Sequence, residues 1–283
     1  ATLNRDSRVL ITELGAIGDP GTTNYDWVAE LPPASLDVLL KDEEQRRLAL
    51  AESRCWTGVN RFTFTTSATM SANTGIDNRQ LLPPYFPVNR NEDKLFGEAA
   101  AFVHPECVTV DYPLAVLHLR LPPEEGGNLP TNAMATGFPG HLSDLPTLHG
   151  QLCHATDPAE RMAFLGAAYA DLAAAPPEEL AKLYTDRNLA HRTARHERLV
   201  RNLKWSENGP QEWKTYLEDS IRTTQQAFMA PGNGSIDAWR DPVNAELITF
   251  WREAWAAFGR ALGVWDRVRE IAASLDKETD QRH

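Results

Sequence analysis

A stiff apolar run that ends in a charge cluster constrains this chain most: Leu81-Leu82-Pro83-Pro84-Tyr85-Phe86-Pro87-Val88, then Asn89-Arg90-Asn91-Glu92-Asp93-Lys94-Leu95-Phe96-Gly97. Pro83, Pro84 and Pro87 hold φ near about −65° and bias the residues before them toward extended backbone. Asn91 is a good N-cap. Glu92 and Asp93 then fall in the first turn of a helix, where the helix dipole favours negative charge. A rigid approach followed by two carboxylates on a helix tip holds an acid or a base at a fixed point. First-turn acids are also common in helices with no such task, so the pattern alone leaves both readings open.

The 283 residues suffice for one large or two ordinary domains, and 42% hydrophobic with 24% charged residues is a soluble globular composition. Thirty-nine acidic residues against 28 basic give a net charge of −11. That argues against non-specific nucleic-acid binding, which needs a basic face. An anionic substrate then needs a local basic pocket or a metal. Three cysteines, Cys55, Cys107 and Cys153, are odd in number and widely spaced. They fit neither a disulfide framework nor a CxxC metal site, so a reducing, cytoplasmic setting is the expectation. No apolar run reaches the roughly 18 residues of a transmembrane helix, and no signal-peptide pattern opens the chain. The chain begins at Ala1 without Met, as after Met removal or in a piece of a longer protein.

Residues 8–12 read as a short strand, and Gly15 to Gly21 as a tight loop that lacks both the GxGxxG spacing and the P-loop Lys-Ser/Thr. A helical turn is expected over 26–31 and an amphipathic helix over 35–52. Val59 to Met70 alternates with a period of two and predicts a strand. A helix over 91–102 and strands over 108–110 and 114–119 follow. His118 lies in the last of these; a lone histidine in an apolar strand is usually a core or edge residue. The glycine- and proline-rich stretch 122–150, with His141 and His149, marks a candidate domain boundary. The adjacent pair Cys153-His154 reads as incidental. From Asp157 helical signals dominate. Asp157-Pro158 supplies an N-cap and a proline at the first helical position. Helices are predicted over 157–174, 178–204, 210–228 and 241–275, ahead of a polar tail, 276–283, expected to fray. In the last of them Leu247, Trp251, Trp255, Phe258, Leu262 and Trp265 recur at spacings of three and four, which reads first as core or helix seam and more rarely as a sugar-stacking surface. The expected architecture is an α/β region over residues 1–150 followed by an all-α region over 151–283.

The helix-tip acids and His118, 25 residues after Asp93, carry the chemistry. A carboxylate can take a proton from a hydroxyl nucleophile, and a neutral histidine can bind a divalent cation. A cation beside a pyrophosphate stabilises the charge that develops as the phosphate leaves. These needs meet in the transfer of a sugar from a nucleotide diphosphate to a hydroxyl. The run Asp77-Asn78-Arg79, Leu82 to Val88, then Arg90 to Gly97, resembles the second half of GT-A-type glycosyltransferases, especially family-2-like bacterial ones. The resemblance covers roughly residues 60–120. It implies a partial GT-A-like mixed sheet, Asp93 as catalytic base and Glu92 in contact with the acceptor. It also implies Arg90, Asn91 and Arg79 near substrate, and His118 as ligand of a divalent cation, Mn2+ or Mg2+. The partners implied are a nucleotide-sugar donor and a hydroxyl-bearing acceptor. The Asp-x-Asp motif of such enzymes has no counterpart between Ala1 and Asn60, so the donor half is missing from the pattern.

A rival reading is a non-catalytic interaction module. Its surfaces would be the Trp-bearing last helix and the basic helix through Arg187, Arg192, Arg195, Arg198 and Arg201, with oligomerisation through the Trp-rich helices. A hydrolase using Glu92 and Asp93 as paired carboxylates is weaker, because neighbours on a helix point about 100° apart and rarely flank one bond.

Overall fold

A computed structural model describes residues 3–18, 26–52, 55–66, 73–87, 92–118, 144–229 and 245–280. The apolar run at residues 8–12 opens strand β1 (Arg8–Gly18), which continues through Gly15 to Gly18, where a loop was expected. The ladder on both of its edges explains the difference. One edge runs parallel to β5 (Cys107–His118), and the other pairs with β4 (Thr74–Ile76) and then β2 (Cys55–Thr57). Hydrogen bonds on both sides hold glycines that would favour a turn in isolation.

The expected strands 108–110 and 114–119 are one strand, β5. Pro113, which has no N–H to donate, sits where the register slips between Leu14 and Gly15, as a proline inside a sheet must. Beyond β5 lies β3 (Thr63–Thr65), much shorter than the predicted 59–70, although 67–70 lie outside the described residues. The result is a small mixed sheet in the order β2-β1-β5-β3, with β4 beside β1.

The expected helix 35–52 is two: α1 (Pro33–Lys41) and α2 (Glu43–Glu52). Asp42 stands between them in extended backbone, its Oδ1 accepting the N–H of Gln45 at 3.0 Å. An N-capping aspartate overrides the continuous apolar periodicity. The remaining helices are α3 (Glu92–Val103), α4 (Leu145–His149), α5 (Pro158–Ala174), α6 (Pro177–Trp205), α7 (Gln211–Met229), α8 (Ala245–Leu262) and α9 (Trp265–Asp280). Asp157 caps α5 as its sequence predicts, accepting from the N–H groups of Ala159 and Glu160. The long helix expected over 241–275 is broken at Gly263 into α8 and α9. The polar tail expected to fray is helical to Asp280.

Three buried clusters hold these elements. The largest joins α5 and α8 through Tyr169, Trp251, Trp255 and Phe258, and takes in Phe86 and the inner face of α3. Trp251 and Trp255 are therefore core, while Trp265 of the same stripe is half-buried at the edge of the cluster. A second cluster packs Val28, Leu36, Leu39 and Ala49 against Leu199, Trp213 and Leu217 of α6 and α7. Asn202 locks it, donating from Nδ2 to the carbonyls of Ala29 and Leu31. The third seats α3 on the sheet, with Phe96 and Ala100 against Leu10, Ile11 and Cys107. The first two clusters draw on both sides of residue 150, so the helical part is built around segments of the N-terminal part. Among the described residues no helix is long and apolar enough to cross a membrane.

Candidate functional site

The prolines of the constraining stretch produce the extended strap expected of them. Its path is fixed from both ends. At the start, the Asp77 carboxylate accepts from the backbone N–H of Arg79 at 3.2 Å and from its guanidinium at 2.8 and 2.9 Å. These bonds hold the Asp77 carboxyl down to about 2. At the other end, Phe86 is buried and stacks on Trp255 with ring centroids 4.5 Å apart. Two side chains of α9 clamp the middle. Trp265 Nε1 donates to the carbonyl of Leu82 at 2.8 Å, and Arg269 donates to that of Asn78.

Between strap and helices lies a groove of about 500 Å³, walled by Ile76, Pro84, Tyr85, Phe96, Trp265 and Arg269. Tyr85 is exposed and stacks flat on Phe96, centroids 4.2 Å apart and planes within 4°. An apolar, aromatic wall with a guanidinium at its edge suits a ring with one polar side.

Glu92 and Asp93 open α3 as predicted, both half-buried, with Asp93 Oδ1 accepting the N–H of Lys94 at 2.8 Å. Phe96 follows them by four and three residues. The acids and the aromatic wall therefore share one side of the helix, and helical side chains lean back toward the N-terminus. The two acids stand one turn before Phe96 on α3, and of these three residues Phe96 is the one that walls the groove. Arg79 is engaged with Asp77 in its own turn. Arg90 and Asn91 lie outside the described residues.

His118 is not brought beside Phe96 by the strand path. It is the last residue of β5, paired with Gly18 of β1. Phe96 shares its cluster with Ile11, which pairs with Thr109. From Thr109 to His118 the strand runs on by about 30 Å at ~3.3 Å per residue.

The arginines of α6 are largely spent inside the fold. Arg198 and Arg195 pair with Glu30 of the N-terminal segment, and Arg187 with Asp144. Burial holds His191, on the same helix, below the ordinary histidine range, against the opposing pull of Glu30.

One group of metal-ligating types was passed over in the sequence. His104, Glu106 and Cys107 place a ring nitrogen, a carboxylate oxygen and a sulfur within 4.8 Å of one another. Burial, with Glu106 beside it, pushes the Cys107 thiol up to about 11. The signal was the run His104-Pro105-Glu106-Cys107, which a search for CxxC does not register.

Comparison with protein-family models, with curated proteins and with solved structures finds no match to this chain.

Proposed function

We propose that this chain is the acceptor-side, catalytic-base portion of a glycosyltransferase. The observation that supports it is the placing of Glu92 and Asp93 one helical turn before Phe96, which walls a groove together with Tyr85 and Trp265. Aromatic faces stack on the apolar face of a sugar ring, and carboxylates accept its hydroxyls.

In this reading an acceptor sugar lies in the groove and Glu92 orients it. Asp93 takes the proton of the attacking hydroxyl as its oxygen bonds to the anomeric carbon of the donor. The bond from that carbon to the diphosphate oxygen breaks, and the diphosphate leaves with the electron pair. The cation expected at His118 does not fit this same site, since the strand carries that residue far beyond the helix tip.

The test is Asp93→Asn in the intact enzyme with a nucleotide-sugar donor. Turnover should fall by at least about 10²-fold, the usual worth of a general base, while donor affinity holds. Retained turnover would end the claim.

The rival interaction-module reading has one observation in its favour. Val264, Val268, Ile271 and Leu275, spaced four, three and four apart at the start of α9 and along it, are all exposed. That is the spacing of a helix–helix seam. Sedimentation of the full chain discriminates: concentration-dependent association that is lost in Ile271→Glu supports the module. A monomer at all concentrations removes it.

A further inference from the structure

We propose that His104, Glu106 and Cys107 form a site for one thiophilic divalent cation of the Zn2+ class, in the turn that joins α3 to β5. The proposal is independent of the glycosyltransferase reading.

The local chain prepares the site. The Cys107 N–H donates to the His104 carbonyl at 3.0 Å, closing a turn with Pro105 at its second position. Proline presets the φ that this position needs. One tight turn therefore gathers the three ligand types, with no long loop to order.

The histidine ring is already held as a metal ligand would be. Its Nε2 lies 2.8 Å from the carbonyl oxygen of Leu81. A carbonyl can only accept, so Nε2 carries a proton, and the lone pair a metal would use is the one on Nδ1. A ligating histidine typically donates its other N–H to a carbonyl or carboxylate in this way, which fixes tautomer and ring orientation.

That lone pair faces further electron-rich atoms. Nδ1 is 3.9 Å from Glu106 Oε1, and Cys107 Sγ is 3.7 Å from the same oxygen. His104 is 2% exposed and Cys107 6%. A carboxylate oxygen and an imidazole lone pair turned toward each other beside a poorly solvated ring repel, unless a proton or a cation lies between them. The thiol proton can serve one edge of the triangle. A cation serves all three.

The distances suit a small tetrahedral ion. With Zn–N and Zn–O near 2.0 Å and Zn–S near 2.3 Å, the edges of a tetrahedral site come to about 3.3–3.5 Å. Nδ1 to Oε1 at 3.9 Å and Sγ to Oε1 at 3.7 Å lie close to those edges, and all three ligand atoms fall within 4.8 Å of one another, so side-chain rotations can close the site. The mixed nitrogen, oxygen and sulfur set favours Zn2+ over Mg2+ or Ca2+, which prefer all-oxygen shells. The Glu106 side chain, 39% exposed, gives an entry path and leaves the fourth position to water.

The site is also wired to the groove. His104 holds Leu81, the residue that begins the strap carrying Tyr85 and Phe86. A bound cation would clip the α3–β5 turn to that strap.

The probe is Co2+ added to the full-length, chelator-treated chain, read by the thiolate-to-cobalt charge-transfer band in the near ultraviolet. The expected result is a band that saturates at one equivalent and is competed away by Zn2+. It should be absent in Cys107→Ala, and Glu106→Gln should weaken binding at least about tenfold. No band with the native chain, or an unchanged band in Cys107→Ala, overturns the proposal. If Cys107→Ala fails to fold, Glu106→Gln decides by itself, since that side chain is partly solvated. Native circular dichroism with undiminished Co2+ affinity overturns the site.

Discussion

Gly166 of α5 and Gly259 of α8 meet backbone to backbone. A Cβ built on either one would lie 2.7 Å from the carbonyl oxygen of the other. This contact lets the two helices approach closely enough for Tyr169 to stack on Trp255, centroids 5.0 Å apart and planes within 7°. Neither glycine is needed for its own φ; each is needed for the absence of a side chain.

Gly166→Ala and Gly259→Ala should therefore each destabilise the fold, by about 1–3 kcal/mol, as overpacking of a close contact does. The obstacle is backbone rather than a side chain that can rotate away. Urea unfolding midpoints measure it. The double variant should cost less than the sum of the two, because one parting of the helices relieves both clashes. Unchanged midpoints would mean the helices slide apart at no cost.

Phe86 is the strap's anchor in the aromatic core, stacked on Trp255 and edge-on to Phe258. Phe86→Ala should destabilise by about 3–5 kcal/mol, whereas Phe86→Leu, which refills most of the volume, should cost clearly less. Thermal unfolding of both variants checks the order.

Tyr85 differs from its neighbour in being exposed. Tyr85→Ala should leave stability within about 1 kcal/mol of the native chain, since its ring is exposed. In the glycosyltransferase reading the same change raises KM for the acceptor several-fold with kcat nearly kept, as loss of uniform binding does. A fall in kcat with KM unchanged would place Tyr85 outside acceptor binding.

The Asp77 carboxyl should titrate near 2, held there chiefly by the Arg79 guanidinium. Because its pKa is lowered by folding, the contact stabilises at pH above the ordinary aspartate range and is lost as pH falls toward 2. Carboxyl carbon NMR shifts read the midpoint directly. Arg79→Ala should move it up toward the ordinary value. An unshifted Asp77 in the native chain would show that the turn is not held by this pair.

Much of this fold is legible along the chain because its causes are local. Proline presets φ at the strap, Asp157 caps α5, the acids lead α3, and the Trp stripe declares a buried helix face by its spacing. The misreadings arise where a neighbour distant in sequence decides. Gly15 and Gly18 look like a loop until β5, β4 and β2 occupy both edges of their strand. The prediction of a separate helical half did not foresee Leu36 and Leu39 packing on Trp213, or Phe86 entering the α8 core.

The candidate site divides in the same way. Glu92 and Asp93, on a helix tip behind a stiff strap, are set by residue order, because capping and helix dipole act within one turn. That Phe96, one turn on, walls a groove, that His118 is carried away along β5, and that His104, Glu106 and Cys107 converge beneath Leu81 depend on how strap, sheet and α9 pack. Packing joins surfaces whose sequence separation is large, so no local pattern encodes it. The chain by itself determined which residues could do chemistry; only the tertiary structure decided which of them stand together.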